Sequence, residues 1–198
     1  MAHTLTKVDV AGAASAPDRT NAGLRAAGIA VAGSLFVALC AHISLPLLFS
    51  PVPLTMQPFA VLLLALLLGP RTAFSTMVLY LAEGAAGLPV FAPAAGGMLQ
   101  LLGPTGGYLL SYPFVAAFVS WLSRRGVPTF ARRMWSAAAG NVFILLCGAS
   151  WLALHTHAKV TTIMSVSVLP FLPGDALKVM AAAGLATAWM RFRKSQSE

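Results

Sequence analysis

Six apolar segments, separated by short polar or proline- and glycine-rich stretches, organise the chain. A helix that spans the hydrocarbon core of a bilayer needs about 20 residues, or fewer where it is partly submerged. The segments approach this length, so each is predicted to be one transmembrane helix. The predicted spans are residues 25–43, 54–68, 72–87, 106–122, 134–154 and about 173–189. The pattern therefore predicts an all-α integral membrane protein.

The composition excludes a soluble domain. Hydrophobic residues make up 58% of the 198 residues and charged residues only 9%, whereas about a quarter of a soluble domain is charged. Too few polar side chains exist to cover a water-facing surface. The length allows one compact domain, which we assign to residues 24–198.

The first 23 residues are small and polar and contain no apolar core of a secretory signal. They are predicted to be a disordered cytoplasmic tail, retained in the mature chain.

The basic residues lie mainly on one side of the predicted helices. With six spans and a cytoplasmic N-terminus, eleven of the thirteen Lys and Arg residues are cytoplasmic. The opposite side receives only Lys159, and Lys178 lies within a span. This bias follows the positive-inside rule and predicts that both termini are cytoplasmic. Because the charges are spread over loops and chain ends, the net charge of +8 does not indicate nucleic-acid binding.

No cofactor or metal site is predicted. Cys40 and Cys147 both lie in apolar runs, where a thiol ordinarily behaves as a small apolar side chain. Two distant cysteines supply too few ligands for a metal. The sequence also lacks a phosphate-binding loop, so ATP hydrolysis by this chain alone is not expected.

Three charged residues, Glu83, Asp175 and Lys178, fall inside the predicted spans. Burying an ionised group at the bilayer centre costs several kcal/mol, so such residues usually face a bundle interior or a water-filled cavity. Glu83 lies about 18 Å from the cytoplasmic face at 1.5 Å per residue. Asp175 and Lys178 are in the first turns of a helix that enters from outside. All three are therefore expected around a cavity that opens to the exterior.

Asp175 and Lys178 are three residues apart and share one helix face. The ammonium group is near a helix N-terminus, which also favours anions. This pair therefore indicates a site for a carboxylate ligand. In the alternative interpretation, Asp175 caps the helix and Lys178 extends to the membrane interface, while Glu83 hydrogen-bonds to a neighbouring helix.

Four uncharged polar residues are further candidates for ligand contact. Thr55 and Gln57, in PVPLTMQP, suit a neutral hydrogen-bonding ligand such as a urea, or else they satisfy backbone groups freed by the prolines. Tyr108 begins the fourth span and either lines the cavity or anchors the helix at the interface. Asn141, in the fifth span, is expected to hydrogen-bond to another helix or to the ligand.

Small residues recur every four positions on the first helix, at Ala22, Ala26, Ala30 and Ser34. Small side chains at this spacing allow another helix to approach closely. That helix belongs either to the same chain or to another subunit.

Four segments together resemble the BioY family, the biotin-binding (S) components of energy-coupling-factor transporters. They are PVPLTMQPFAVLLLALLLGPR (51–71), YLAEGAAGLPVFA (80–92), LLGPTGGYLLSYP (101–113) and PGDALK (173–178). The resemblance implies a six-helix S-component bundle that takes up biotin across the bacterial inner membrane. It also implies that Asp175 and Lys178 serve the carboxylate end of the ligand.

The same resemblance implies partners. Family members associate with a transmembrane coupling subunit and two ATPases, docking through small residues on the first helix, for which the alanine stripe is the candidate. Some members are thought to work without this module, and a self-standing carrier would be a homo-oligomer in membrane lipid. In some members a basic residue before the fourth helix contacts the ligand, but this chain has no Lys or Arg between Arg71 and Arg124.

A biotin site needs a cation, hydrogen-bonding groups and an apolar wall. Lys178 supplies the cation, and Thr55, Gln57 or Tyr108 are candidates for the ureido ring. Three rival functions stay open at this point. They are an S component for another vitamin, a purely structural membrane subunit, and an intramembrane aspartyl protease that pairs Glu83 with Asp175. Against the protease, Lys178 would hold Asp175 ionised, and no enzyme activity is predicted.

Overall fold

Helices form nearly all of the fold in a computed structural model that describes residues 19–92, 96–127 and 129–196. Its eight helices are α1 (Arg19–His42), α2 (Gln57–Leu67), α3 (Pro70–Ala85), α4 (Met98–Leu102), α5 (Gly106–Ser123), α6 (Phe130–Thr156), α7 (Val160–Ser167) and α8 (Leu172–Ser195). Two short antiparallel strands, β1 (Ser44–Leu45) and β2 (Leu54–Thr55), join α1 to α2.

The predicted all-helical class is confirmed, and each predicted span coincides with one of the six longer helices. The short helices α4 and α7 and the strand pair were not predicted. The strands pair Ser44 with Thr55, which fixes the position of the polar segment that precedes α2.

Length and composition identify fewer membrane-crossing helices than the six predicted. Residues 23–42 of α1 and the whole of α6 are long and apolar enough to cross a bilayer. The pair α7 and α8, bent by 51° at the break between them, passes the same criterion together. Helix α2 is apolar but has only 11 residues, a rise of about 16 Å.

Large apolar side chains are nevertheless exposed on the outside of the helices. Leu39 is 68% exposed on α1, Phe114 61% on α5, Trp135 70% on α6 and Leu177 65% on α8. Soluble monomers rarely expose apolar surface on this scale. The exposed faces therefore identify a membrane protein whose outer surface contacts lipid.

Helix boundaries differ from the predicted ones at the N-terminus. Helix α1 begins at Arg19, so residues 19–23 belong to the helix and not to the predicted tail, while residues 1–18 lie outside the described part. Apolar residues mark only the part of a helix inside hydrocarbon, and a helix can extend beyond it. Helix α6 likewise begins before its apolar run, where the Thr129 side chain accepts a hydrogen bond from the backbone N–H of Arg132 at 3.2 Å.

The short helix α2 lies at the centre of the bundle. It contacts α1, α3, α5, α6 and α8, and Val61, Leu62, Ala65 and Leu66 are at most 1% exposed. A helix that is apolar all round is stable only when it is surrounded by other elements or by lipid. Here the surrounding helices hold the start of α2, with its polar residues, inside the bundle.

A glycine positions Tyr108 between α5 and α6. A Cβ atom at Gly148 would lie 2.2 Å from the Tyr108 ring, so only glycine allows the ring to pack against α6. The Tyr108 hydroxyl then donates to the backbone carbonyl of Ser167 in α7 at 2.8 Å. This contact attaches α7 to the main bundle.

Candidate ligand-binding site

A cavity lies between the starts of α2, α5 and α8 and the middle of α6. Its polar lining comes from three helices and from the segments before α2 and α5: Thr55, Gln57, Thr105, Tyr108, Tyr112, Asp175 and Lys178. Its apolar walls include Leu109, Ile144, Leu145 and Phe171. A mostly apolar cleft with a few convergent polar groups is the usual form of a small-molecule site.

The cavity is narrow in this conformation. Its volume is about 40 Å³, measured as the space that the centre of a water molecule can reach. That space holds about three waters, since each needs about 10–15 Å³. A vitamin-sized ligand therefore requires the walls to move apart.

Asp175 and Lys178 form a buried ion pair in the cavity wall. Both lie on the first turns of α8, three residues apart, and the Lys178 Nζ is 2.9 Å from the Asp175 Oδ1. Each residue is only 4% exposed. The alternative in which Lys178 extends to the membrane interface is therefore wrong, because its ammonium group lines the cavity.

Asn141 holds the other oxygen of the same carboxylate. Its Nδ2 donates to Asp175 Oδ2 at 3.1 Å, across the contact between α6 and α8. Asn141 itself does not line the cavity, so it acts behind Asp175. Its own Oδ1 is buried and has no hydrogen-bond partner among the described residues.

The ammonium group of Lys178 keeps donors for a ligand. It has three N–H bonds, and Asp175 is its only hydrogen-bond partner within the described part of the chain. Since the Asp175 carboxylate uses one N–H bond of the ammonium group, the remaining N–H bonds are free to bind an anionic oxygen. A buried charge-assisted bond of this kind is stronger than a neutral one.

Thr55 and Gln57 form a second polar region. The Thr55 hydroxyl donates to Gln57 Oε1 at 3.2 Å, and Gln57 Nε2 donates to the Tyr80 hydroxyl. Tyr80 donates its single proton to the carbonyl of Val90 at 2.9 Å, so toward Gln57 it can only accept. This chain of bonds fixes the Gln57 amide with its nitrogen toward Tyr80.

Tyr80 is a site residue that sequence reasoning missed. It is fully buried on α3 and packs edge-to-face on Phe91, with ring centroids 5.4 Å apart. In the sequence, only the position of Tyr80 in the segment 80–92 pointed to a role in the site. The sequence does not show which face of this helix points inward.

Two tyrosines of α5 complete the polar lining. Tyr108 lines the cavity, and its hydroxyl is bonded to the carbonyl of Ser167. Tyr112 lies one turn further along and lines the same space. No hydrogen bond to the Tyr112 hydroxyl is present among the described residues, so this group is available to a ligand.

Glu83 does not belong to this site, and its assignment as a ligand contact is wrong. It is absent from the cavity lining, and its Oε1 accepts a hydrogen bond from the Ser34 hydroxyl of α1 at 3.0 Å. The open alternative, a hydrogen bond to a neighbouring helix, is correct. Depth along α3 was estimated from the sequence, but the direction in which the side chain points was not. The structure therefore does not bring Glu83 and Asp175 together as a protease pair.

Two residues of the small-residue stripe of α1, Ala30 and Ser34, face the interior of the chain. Ser34 is fully buried against α3 and Ala30 is 8% exposed, so the helix they contact belongs to the same chain. Ala26 is exposed, and the side chain of Ala22 lies outside the description. In this conformation Ala30 and Ser34 are therefore not accessible to another subunit. The exposed small residues on α1 include Gly28 and Ala32.

Comparisons with known proteins identify a family and several relatives. Residues 13–195 match the BioY family. The chain is 40% identical over 156 residues to the probable biotin transporter BioY of Pyrococcus horikoshii, covering 77% of this chain and 90% of that protein. It is 37% identical over 171 residues to the biotin transporter BioY of Thermotoga maritima, covering 85% and 97% respectively.

One solved structure has the same fold. It is the S-component for biotin from an ECF-type ABC transporter, which superposes with a TM-score of 0.79 over 88% of this chain and 93% of that one. The two sequences are 24% identical. The comparison therefore shows the S-component fold.

Proposed function

This chain belongs to the BioY family, and we propose that it takes up biotin across the bacterial inner membrane as the S component of an ECF-type transporter. Its relatives in Pyrococcus horikoshii and Thermotoga maritima are named as biotin transporters. The cavity between α2, α5 and α8 is the proposed binding site.

The observation that carries this proposal is the buried ammonium group of Lys178. It lines an apolar cavity, is 4% exposed, and uses one donor on Asp175. Biotin has a carboxylate at one end, a ureido ring at the other and an apolar chain between. The ammonium group suits the carboxylate, and Ile144 and Leu145 suit the chain.

The ureido ring needs both a donor and an acceptor. Gln57 has one amide N–H beyond the bond to Tyr80, and Thr55 and Tyr112 add hydroxyl groups to the lining. We assign these three residues to the ring, with Tyr80 acting from behind Gln57, while Asn141 acts behind Asp175 at the carboxylate end. Glu83 has no part in this arrangement.

The topology proposed for this function has six membrane-crossing helices and both termini in the cytoplasm. The distribution of basic residues supports it, since Lys159 alone falls on the outer side. In this orientation, the start of α8 and its ion pair lie in the outer half of the bilayer, where the ligand arrives.

The proposed partners are a transmembrane coupling subunit and ATPase subunits. Burial of Ala30 and Ser34 moves the candidate docking surface to the exposed face of α1, around Gly28 and Ala32. Gly28 has no side chain, and a Cβ atom built there would have no other atom within 4 Å. A helix of another subunit can therefore approach α1 closely at this position. Substituting Ala32 by Leu is expected to weaken assembly with the ATPases and to leave biotin binding unchanged.

Isothermal titration of detergent-purified protein tests the function. We expect saturable binding of biotin and none of thiamine or riboflavin at the same concentrations. Binding of another vitamin but not of biotin would be consistent with an S component but would contradict biotin as its substrate. Absence of binding to all three would overturn the proposal.

A further inference from the structure

A second cavity, outside the proposed biotin site, lies on the outer surface of α5 and α6. It is an open groove of about 680 Å³ lined only by apolar side chains: Phe118, Trp135, Ala138, Ala139, Val142, Phe143 and Leu146. Its two alanines form a low floor between larger residues. Trp135, Val142 and Leu146 are each more than half exposed, so residues 19–92, 96–127 and 129–196 leave the groove uncovered.

The length of the groove matches one leaflet of a bilayer. Along α6 it extends from Trp135 to Leu146, a rise of about 16 Å. The hydrocarbon core is about 30 Å thick, so the groove covers about half of it. A helix from another subunit would contact a full span, whereas one acyl chain occupies a single leaflet.

Arginines stand at one end of both groove walls. On α6, Arg132 lies one turn before Trp135 on the same helix face, and its guanidinium group packs over Gly126. Just after the end of α5, the guanidinium group of Arg125 lies 3.6 Å from the centre of the ring of Trp121, which is on α5. Trp121 in turn neighbours Phe118 in the groove, with ring centroids 6.3 Å apart.

These arginines have no carboxylate partner among the described residues. Glu83 and Asp175 are the acidic residues that the structure describes, and they bond to Ser34 and Lys178 respectively. Basic groups beside an apolar groove at one membrane face favour an acidic lipid headgroup. We infer that the groove binds one anionic phospholipid, with an acyl chain along α6 and the phosphate beside Arg125 and Arg132.

A second copy of this chain fits the groove less well. Two copies in one membrane share the same orientation, so pairing across this surface would bring their Arg125 and Arg132 groups close together. Like charges at such a contact oppose association. The charge that complements the site is therefore negative.

Native mass spectrometry of the full chain tests this site. Protein in detergent is mixed with equal amounts of phosphatidylglycerol and phosphatidylcholine that carry the same acyl chains. We expect the wild type to retain one phosphatidylglycerol in preference. A double Arg125→Gln, Arg132→Gln variant should lower that preference by about fivefold for each arginine. The matched control, Arg25→Gln with Arg71→Gln, removes the same charge from α1 and α3 and should leave the preference unchanged.

Substitutions that fill the groove test the lipid site independently of the arginines. Ala139→Phe places a large ring at the bottom of the groove. If this variant does not fold, Val142→Trp fills the groove from an exposed position instead. Either substitution is expected to reduce retention of the lipid. The unfolding midpoint of each variant shows whether it is folded. The inference is overturned by equal retention of both lipids, by the same loss in both arginine pairs, or by full retention in folded groove variants. A lipid-free dimer that Val142→Trp dissociates would assign the groove to a second copy instead.

Discussion

Two carboxylates within apolar helices, Asp175 on α8 and Glu83 on α3, look alike in the sequence but have different surroundings. Asp175 bonds to an ammonium group and to the Asn141 amide, and it lines a cavity. Glu83 accepts one bond from the Ser34 hydroxyl, and its second oxygen has no partner among the described residues. The difference shows that the partners of a buried acid, and not its depth, indicate its role.

The contrast has an energetic basis. A buried ion is expensive unless an opposite charge and hydrogen bonds surround it. The partners of Asp175 supply both, and they leave a cation that a ligand can use. Glu83 joins α1 to α3 through a single bond, and no cation among the described residues forms an ion pair with it. It therefore serves packing, and changing it should leave the ligand site intact.

The largest expected effect is that of Lys178→Met. Asp175 would then lose its cation, and breaking one partner of a buried pair destabilises a protein by about 3–5 kcal/mol. Biotin binding should also weaken, because the ligand carboxylate would lose its charge-assisted bond to Lys178. Thermal unfolding and isothermal titration in the same detergent measure the two effects.

The double variant Asp175→Asn, Lys178→Met separates these effects. It removes both charges, so most of the lost stability should return while biotin affinity stays low. A double variant that binds biotin like the wild type would contradict the assignment of Lys178.

A smaller effect is expected for Asn141→Leu. This substitution removes a hydrogen bond to a charged carboxylate, which contributes about 1.5–3 kcal/mol. The unfolding midpoint should fall, and biotin should bind more weakly than to the wild type but more tightly than to Lys178→Met. An unchanged midpoint would show that Asp175 does not depend on the amide for its position.

The other end of the cavity is tested by Tyr80→Phe. The ring and its contact with Phe91 are retained, but the Gln57 amide loses its acceptor and becomes free to rotate. Loss of a neutral hydrogen bond weakens biotin binding by about 0.5–1.5 kcal/mol. The preference for biotin over its carboxamide should stay unchanged, because the carboxylate end is intact. A lost preference would mean that Tyr80 affects the whole cavity.

Glu83→Gln should have the smallest effect. The amide oxygen can still accept from Ser34, so stability should change by less than about 0.5 kcal/mol and biotin affinity by less than about twofold. A large loss of affinity with an unchanged unfolding midpoint would return Glu83 to the ligand site.

Sequence reasoning located the helices and the ion pair for clear physical reasons. Long apolar runs mark segments that lipid or other helices must surround, and a spacing of three places Asp175 and Lys178 on one face in any helix. These predictions needed no knowledge of how the helices pack.

The rotation of each helix could not be predicted in the same way. In a membrane protein both the buried and the lipid-facing sides are apolar, so hydrophobic periodicity does not show which side faces inward. Ser34 and Glu83 were therefore assigned to separate sites although they bond to each other. Tyr80 was missed for the same reason, since only the packing of α3 on α2 brings it to Gln57.

The contact between Lys178 and a ligand carboxylate is tested most directly by titrating biotin and its carboxamide into wild-type protein and Lys178→Met. The wild type should prefer biotin by about 10- to 150-fold, equivalent to about 1.5–3 kcal/mol. The variant should lose this preference or bind the carboxamide more tightly, because the unpaired Asp175 carboxylate repels the carboxylate of biotin. A wild type without preference, or a variant that keeps the full preference, would contradict the account.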